Sequence, residues 1–174
     1  MIPRLTIQLF GQEGDRKKIY KRDSKVVYPF IDMEKFKGVD VFDGGYYVVV
    51  GRPTMYKRFD LARKACSKLN LQLKIIDGSF TDEMVVNILA GCKALILVGE
   101  EDFGIASLEA QVLGKPVIAF RAGGALETVI ENKTGIFFNL QSEDCLAEAI
   151  RKLDSVKINS QDCKENASRF SKEH

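Results

Sequence analysis

Glycine and cationic side chains occur together between residues 51 and 58. Gly51 is followed by Arg52, and Lys57 and Arg58 come a few residues later, just before a helical pattern begins. Arginine can bind phosphate oxygens through two parallel N–H groups, and lysine adds a compact positive charge. Glycine also allows close approach to the backbone. These residues predict a phosphate or diphosphate site, and the alternative is a solvated basic loop.

A second candidate loop is acidic and also precedes a helical pattern. Residues 100–102 are all carboxylates, and the helix begins near Gly104 and Ile105. The free N–H groups of a helix N-terminus attract anions, so a plain phosphate site would not be expected to carry three acids. Asp102 is explained structurally if it caps this helix.

Two carboxylates in this region, Glu101 and Glu109, are eight positions apart. One therefore precedes the helix, and the other lies more than one turn inside it. This spacing suits two separate sets of hydroxyl groups, one from a sugar and one from a ribose. The alternative is that the acids complement the helix dipole and that Glu109 is a surface residue.

Paired glycines mark a third candidate loop. Gly123 and Gly124 precede a short helical pattern, and their N–H groups predict a second anion cradle. Glu127 lies three residues after Gly124, and this spacing favours a structural bond from its side chain back to the helix N-terminus.

Metal and histidine chemistry are not expected. The four cysteines are far apart in sequence without a Cys-x-x-Cys pair, and the only histidine is His174. A zinc site needs clustered ligands, so no metal and no cofactor are predicted. Cys66 and Cys145 fall within helical patterns and are interpreted as small core residues. Widely spaced thiols suit a reducing compartment.

The elements that must position these loops alternate between strand-length apolar runs and amphipathic helical stretches. This order is typical of βαβ units and predicts a doubly wound parallel α/β sheet of five or six strands, with helices on both faces. In such sheets, ligands bind beyond the carboxyl ends of the strands, where all three loops lie. The predicted strands are Lys25–Tyr28, Tyr46–Val50, Leu71–Ile76, Ala94–Val98, Pro116–Phe120 and Gly135–Phe138. The predicted helices are Phe59–Leu69, Asp82–Ala90, Ile105–Leu113, Gly124–Glu131, Glu143–Leu153 and Gln161–Lys172.

Composition excludes several classes of protein. The 174 residues carry 26 Lys and Arg against 24 Asp and Glu, a net charge of +2 that argues against a nucleic-acid-coating protein. No apolar run approaches the roughly 20 residues of a membrane-spanning helix, and no secretory signal is visible. A cytoplasmic location is expected. Residues 1–24 form a basic segment before the domain at 25–174, and the charges at 16–22 suit a peripheral membrane contact, a contact with another domain or a solvated face.

Five motifs in order resemble the C-terminal domain of glycosyltransferase family 4, the retaining group in which two Rossmann-like domains form the GT-B architecture. The similarity covers residues 17–172, and two glutamates separated by seven residues are its central motif. The matching segments are Gly51-Arg52…Lys57-Arg58, Glu101-Asp-Phe-Gly-Ile…Glu109, Gly114-Lys-Pro-Val-Ile-Ala, Gly123-Gly…Glu127-Thr-Val and Thr134-Gly135.

The resemblance implies a role for each matching residue. Arg52 and Lys57 would hold the donor diphosphate, and Glu101 and Glu109 would bind the hydroxyls of the donor sugar and of the ribose. The phosphate or the sugar would be contacted by the backbone amides of Phe103, Gly104 and Ile105. It would also be bordered by Gly123 and Gly124.

The resemblance also implies partners. The donor would be a nucleotide-sugar, with GDP-mannose favoured over a UDP-sugar by the text of the Glu101 motif, and the acceptor a glycan or a lipid-linked saccharide. The acceptor-binding domain of the family is expected to be supplied in cis or in trans. A non-catalytic nucleotide-sugar-binding module and a nucleotide-sugar epimerase are the alternatives to a transferase.

One departure from the family concerns the base pocket. The family has a helix and a strand between the positions of Gly78 and Asp82, whereas this chain crosses directly. We therefore expect a sheet edge to be exposed, and the base preference of the family is not carried over to this chain.

Overall fold

The computed structural model describes residues 28–52 and 54–172. The basic segment 1–24 and residues Lys25–Val27 of the first predicted strand lie outside this range. Tyr28, the remaining residue of that prediction, belongs to no strand. Within the described residues, every helix is too short or too polar to cross a membrane.

Five parallel strands form one sheet in the described part of the chain, in the order β2-β1-β3-β4-β5. The doubly wound α/β fold is confirmed, and the strand bounds differ from the predicted ones by two residues or fewer. The strands are β1 Tyr46–Val50, β2 Gln72–Ile76, β3 Cys92–Leu97, β4 Val117–Phe120 and β5 Gly135–Phe138.

Helices cover both faces of the sheet. Successive residues of β1 point to opposite sides, so Val48 contacts one core and Val49 the other. Helices α2 and α3 pack on the first side, and α1 and α5 pack on the second. The helices are α1 Phe59–Lys68, α2 Asp82–Ala90, α3 Ile105–Val112, α4 Ala125–Thr128, α5 Glu143–Ser155 and α6 Ser160–Ser168.

The strand order reverses between β1 and β3. From β1 the chain goes through α1 to β2 on one side, then returns through α2 to β3 on the other side of β1. Such a reversal separates the loops that follow the two strands and opens a crevice at their carboxyl ends. The loops containing Lys57 and Glu101 border this crevice.

Two helices end three or more residues earlier than predicted, and both end through tertiary contacts. Helix α4 ends at Thr128 rather than at Glu131, because the Thr128 carbonyl accepts hydrogen bonds from Gln111 and Asn166, and Val129 is already extended. Helix α6 ends at Ser168, and the chain then turns so that the carbonyl of Phe170 accepts a bond from the amide of Ile31 at 2.8 Å.

Strand β2 forms one edge of the sheet, bordered by β1 alone. Residues 77–81 connect it directly to α2, whose N-cap is Thr81. Of the residues in β2, only Ile76 is buried. The expected exposed edge is therefore present at β2.

Candidate functional site

The loop after β1 places Lys57 near the carboxyl end of β3 through two close approaches, one at Gly99 and one at Gly51. Lys57 ends a short 3-10 helix, Met55–Lys57, and a Cβ added at Gly99 would lie 2.5 Å from the carbonyl oxygen of Tyr56. Gly51, with a φ of +134°, leaves room for the Lys57 side chain, since a Cβ there would lie 3.3 Å from its Nζ. The close approach predicted for Gly51 is thus made by the protein itself.

Lys57 and Glu101 meet across the crevice between β1 and β3. The Lys57 Nζ lies 2.5 Å from Oε1 and 2.7 Å from Oε2 of Glu101, and the two side chains are 15% and 16% exposed. An ammonium has three N–H groups, so one remains to donate to a further acceptor. The pair also neutralises Glu101, which lowers the repulsion that an incoming anion would meet.

Arg52 belongs to the same loop, but the structure does not bring it into this pair. Its side chain is exposed and makes no hydrogen bond or ion pair with any residue in the described ranges. The guanidinium is therefore available to a ligand that reaches the outer side of the loop.

Helix α3 begins at the predicted residue, and Gly104 is its N-cap with a φ of +80°. Asp102 is exposed and does not cap the helix, so the structural explanation of Asp102 is wrong. The first amides of the helix have no intrahelical acceptors. The Phe103 ring is buried against Tyr28 and Phe170, at centroid distances of 5.7 and 5.6 Å, so only the backbone of Phe103 can face a ligand.

The glycine pair after β4 packs directly on the loop of Glu101. The amide of Gly124 donates to the carbonyl of Glu101 at 2.7 Å, and a Cβ at Gly123 would overlap that same oxygen. A Cβ at Gly124 would overlap the backbone of Phe103. The Gly124 amide is thus used inside the protein, and the pair supports the Glu101 loop instead of offering two free N–H groups.

Glu127 does not make the predicted bond through its buried oxygen. Oε2 of Glu127 is buried without a hydrogen-bond partner among the described residues. The N-terminus of α4 has no side-chain cap. A buried acceptor without a donor is unfavourable, which leaves this oxygen suited to a hydroxyl or amide donor.

Glu109 lies apart from the Lys57–Glu101 pair, near Lys35 and Asp82. Lys35 Nζ is 2.9 Å from Asp82 Oδ2, which links the 3-10 helix Met33–Phe36 to the start of α2. Burial raises the pKa of the Glu109 carboxyl and nearby Asp82 adds to the increase, whereas Lys35 opposes it. Glu109 is therefore a partly buried carboxylate and not the surface residue of the alternative interpretation.

Sequence reasoning missed three residues that shape the site. Gly99 admits the turn that carries Lys57, and the buried hydroxyls of Ser107 and Thr128 contact the loops of Gly104 and Gly124. Gly99 carries a detectable signal, because it directly follows a buried strand. Ser107 and Thr128 carry none, since small hydroxyl residues are common on helices.

Three of the four cysteines are buried in the core. Burial raises the pKa of Cys66 to about 11 and that of Cys92 and Cys163 to about 12, so these are core thiols. Cys145 is only partly buried. Within residues 28–52 and 54–172, no group of three or more His, Cys, Asp or Glu side chains is placed to hold a metal ion.

Two solved structures share the fold. The chain superposes on a glycosyltransferase from Rickettsia africae with a TM-score of 0.77 at 18% identity, covering 91% of this chain and 57% of that one. It superposes on an Anabaena protein, HepE, solved with UDP-glucose, with a TM-score of 0.65 at 20% identity, covering 85% and 54%.

Sequence relatives point to the same group of proteins. An alpha-1,3/1,6-mannosyltransferase of Dictyostelium discoideum is 44% identical over 122 residues, which cover 69% of this chain and 28% of the relative. The chain thus spans about a quarter of that protein's length. Residues 46–170 match the family described as glycosyl transferases group 1. This chain, whose strands β1 to β5 all lie within the matched region, belongs to the glycosyl transferases group 1 family.

Proposed function

We propose that this chain is the donor-binding domain of a retaining family 4 glycosyltransferase, in the C-terminal position of the GT-B architecture. The observation that carries the proposal is the meeting of Lys57 and Glu101 at the point where the strand order reverses. A nucleotide-sugar bound there presents both an anionic diphosphate and neutral hydroxyls. The Lys57 ammonium can bind the diphosphate, and the adjacent Glu101 carboxylate can accept hydrogen bonds from the hydroxyls.

The diphosphate would lie between the loop after β1 and the N-terminus of α3. Lys57 would donate its third N–H to a phosphate oxygen, Arg52 would close over the outer side, and the first amides of α3 would complete the charge balance. These cations and dipoles would stabilise the leaving nucleoside diphosphate without a metal ion.

The sugar would lie against Glu101, whose carboxylate would accept hydrogen bonds from its hydroxyls. In the transfer, the bond between the anomeric carbon and the diphosphate oxygen breaks with its electron pair on the diphosphate. The acceptor oxygen forms the new bond, and the proton of its hydroxyl leaves with the nucleoside diphosphate. The acceptor, a glycan or a lipid-linked saccharide, would be held mainly by a second domain.

GDP-mannose is the donor that the relatives favour. Besides the Dictyostelium mannosyltransferase, a Mycobacterium tuberculosis protein named as GDP-mannose-dependent is 49% identical over 53 residues, which cover 30% of this chain and 14% of that protein. HepE was solved with UDP-glucose, so a UDP-sugar is the alternative donor.

The test is calorimetric titration of the purified chain with GDP, UDP and ADP, followed by the matching nucleotide-sugars. We expect one base to bind, and Arg52→Ala and Lys57→Ala to weaken that binding by about 1.5–3 kcal/mol each, the range for hydrogen bonds to charged groups. Arg63→Ala is the matched control, because Arg63 is an exposed cation on α1 whose loss changes the net charge equally.

Two results would contradict the proposal: binding of none of the three nucleotides, or equal affinities for Arg52→Ala, Lys57→Ala and the parent. A second candidate function, a non-catalytic binding module that keeps only part of the nucleotide-sugar pocket, is favoured by the direct crossing from β2 to α2. The transferase domain should bind the nucleotide-sugar through Glu101, so Glu101→Gln should weaken the nucleotide-sugar more than the free diphosphate. In a module that holds only the nucleotide, Glu101→Gln should weaken the binding of the nucleotide-sugar and of the free diphosphate equally, or should weaken neither.

A further inference from the structure

Two buried hydroxyl groups connect the start of α3 to the start of α4. Ser107 Oγ lies 2.7 Å from the carbonyl oxygen of Gly104 and 2.8 Å from Thr128 Oγ1. Thr128 Oγ1 lies 3.1 Å from the carbonyl oxygen of Gly124. Gly104 and Gly124 are the N-cap residues of the two helices, and both hydroxyl side chains are fully buried.

Both glycine carbonyls already accept a hydrogen bond from a backbone amide. The main contribution of the two hydroxyls is therefore to fix the starts of α3 and α4 relative to each other. The Gly104 carbonyl also accepts from the amide of Ser107, and the Gly124 carbonyl also accepts from the amide of Thr128. Removing one hydroxyl would leave each carbonyl with a backbone donor, so the loss of stability should be modest. What would be lost is the direct tie between the two helix starts.

Thr128 is in turn fixed from its carbonyl side. Gln111 Nε2 donates to that carbonyl at 2.8 Å and Asn166 Nδ2 at 2.9 Å, and Asn166 Nδ2 also lies 2.7 Å from Gln111 Oε1. All of these side chains are buried. The end of α4 is thereby held to α3 and to α6, and buried networks of this kind restrict a region to one arrangement.

A series of hydrogen bonds connects Thr128 to Glu101 and Lys57 in the candidate site. The amide of Gly124, whose carbonyl is next to the Thr128 hydroxyl, donates to the carbonyl of Glu101. Glu101 holds Lys57 through both of its carboxylate oxygens. A shift of α4 against α3 would therefore move the backbone of Glu101 away from the first turn of α3.

We propose that Thr128, together with Ser107, is a positioning residue that holds Glu101 and the N-terminal turn of α3 at a fixed separation suited to the diphosphate. The inference rests on the proposed function. Neither hydroxyl touches the ligand; both act through the glycine loops, and pre-aligned groups bind a ligand without a further ordering cost.

The test compares a nucleoside diphosphate with the monophosphate of the same base, using the base that the parent binds among GDP, UDP and ADP. Thr128→Val removes the hydroxyl at nearly constant shape, and Thr128→Ser keeps it. We expect Thr128→Val and Ser107→Ala to weaken the diphosphate about tenfold, the scale of one lost hydrogen bond, and the monophosphate less than about twofold. Thr128→Ser should restore the parent's ratio of the two dissociation constants.

Thermal unfolding of each variant, followed by circular dichroism, checks that it is folded, and Ser107→Ala carries the test if Thr128→Val does not fold. Equal weakening of both nucleotides would indicate a merely structural role and overturn the inference. Parent-like binding in Thr128→Val and Ser107→Ala would also overturn it, as would a Thr128→Ser ratio that stays at the Thr128→Val value. A parent that binds no nucleoside diphosphate overturns the proposed function itself, and this inference with it.

Discussion

Strand β3 lies in the interior of the sheet between β1 and β4, whereas β2 borders β1 alone. The loops after β3 and β4 are joined by glycine contacts and by a buried hydrogen-bond network centred on Thr128. At the β2 edge, most side chains are only partly buried, and a groove between α1 and β2 is open to solvent. The backbone N–H and C=O groups of β3 face a neighbouring strand on both sides, whereas β2 has a neighbouring strand on one side alone within the described residues.

The comparison teaches where the fold can hold a ligand precisely. Lys57, Glu101 and the start of α3 belong to the joined region, where each backbone segment is fixed by at least one other. Residues 77–81 leave from the open edge and form a short connection held locally, for example by the Asp77 carboxylate accepting from the amide of Ser79 at 2.9 Å. Substitutions in the joined region should therefore have larger effects than substitutions at the edge.

The largest effect on stability is expected from Asn166→Ala. This change removes the donor shared by Gln111 and the Thr128 carbonyl, and it leaves the buried Gln111 oxygen without that partner. Urea unfolding should show a loss of about 2 to 3 kcal/mol in the free energy of unfolding, as for a buried unsatisfied polar group. Lys164→Ala, an exposed position on the same helix, is the control and should change it by less than about 0.5 kcal/mol. Similar losses in both variants would show that the network does not hold this region together.

A smaller effect, on specificity, is expected from Glu109→Gln. The family resemblance implies that the Glu109 carboxylate accepts hydrogen bonds from the ribose hydroxyls, so its replacement by a neutral amide should reduce the preference for the ribonucleotide over its 2′,3′-dideoxy analogue by about 1 kcal/mol. Calorimetry with the two nucleotides measures this preference. A preference unchanged by the substitution would separate Glu109 from the ribose.

The same position predicts a pH dependence of stability. Burial raises the pKa of Glu109 above its ordinary value of 4.5, so the folded protein favours the protonated carboxyl. The contribution of the protonated Glu109 carboxyl to the free energy of unfolding is fully present below pH 4.5, and it is lost as the pH rises through the raised pKa. Compared with the parent, Glu109→Gln should unfold with a free energy that changes less over this interval. If the two proteins showed parallel profiles in urea unfolding between pH 4 and 7, the raised pKa would be contradicted.

The smallest effect is expected at the edge, from Leu73→Thr. Leu73 is a partly buried residue of β2, and threonine is itself enriched in β-strands. The free energy of unfolding should fall by less than about 1 kcal/mol, and nucleotide affinity should not change. A loss as large as that of Asn166→Ala would remove the contrast between the two regions.

Most of the fold could be predicted because it follows from local patterns. Buried strands such as Tyr46–Val50 have continuous apolar runs, and helices such as Asp82–Ala90 have a cap and helical spacing, so their bounds were predicted to within two residues. The exceptions are the ends of α4 and α6, which come three and four residues earlier than the pattern predicts. The end of α4 depends on Gln111 and Asn166, which are far away in sequence.

The sequence by itself determined the fold class, the family resemblance and the loops in which chemistry is expected, because strand ends, glycines and charged residues are local features. Tertiary structure alone decided which of these side chains meet. It paired Lys57 with Glu101, left Arg52 exposed and set Glu109 apart beside Lys35 and Asp82. It also used the Gly124 amide internally and made Thr128 the link between two helices. These outcomes depend on distances between loops that are distant in sequence, and such distances are set by the packing of the sheet and its helices.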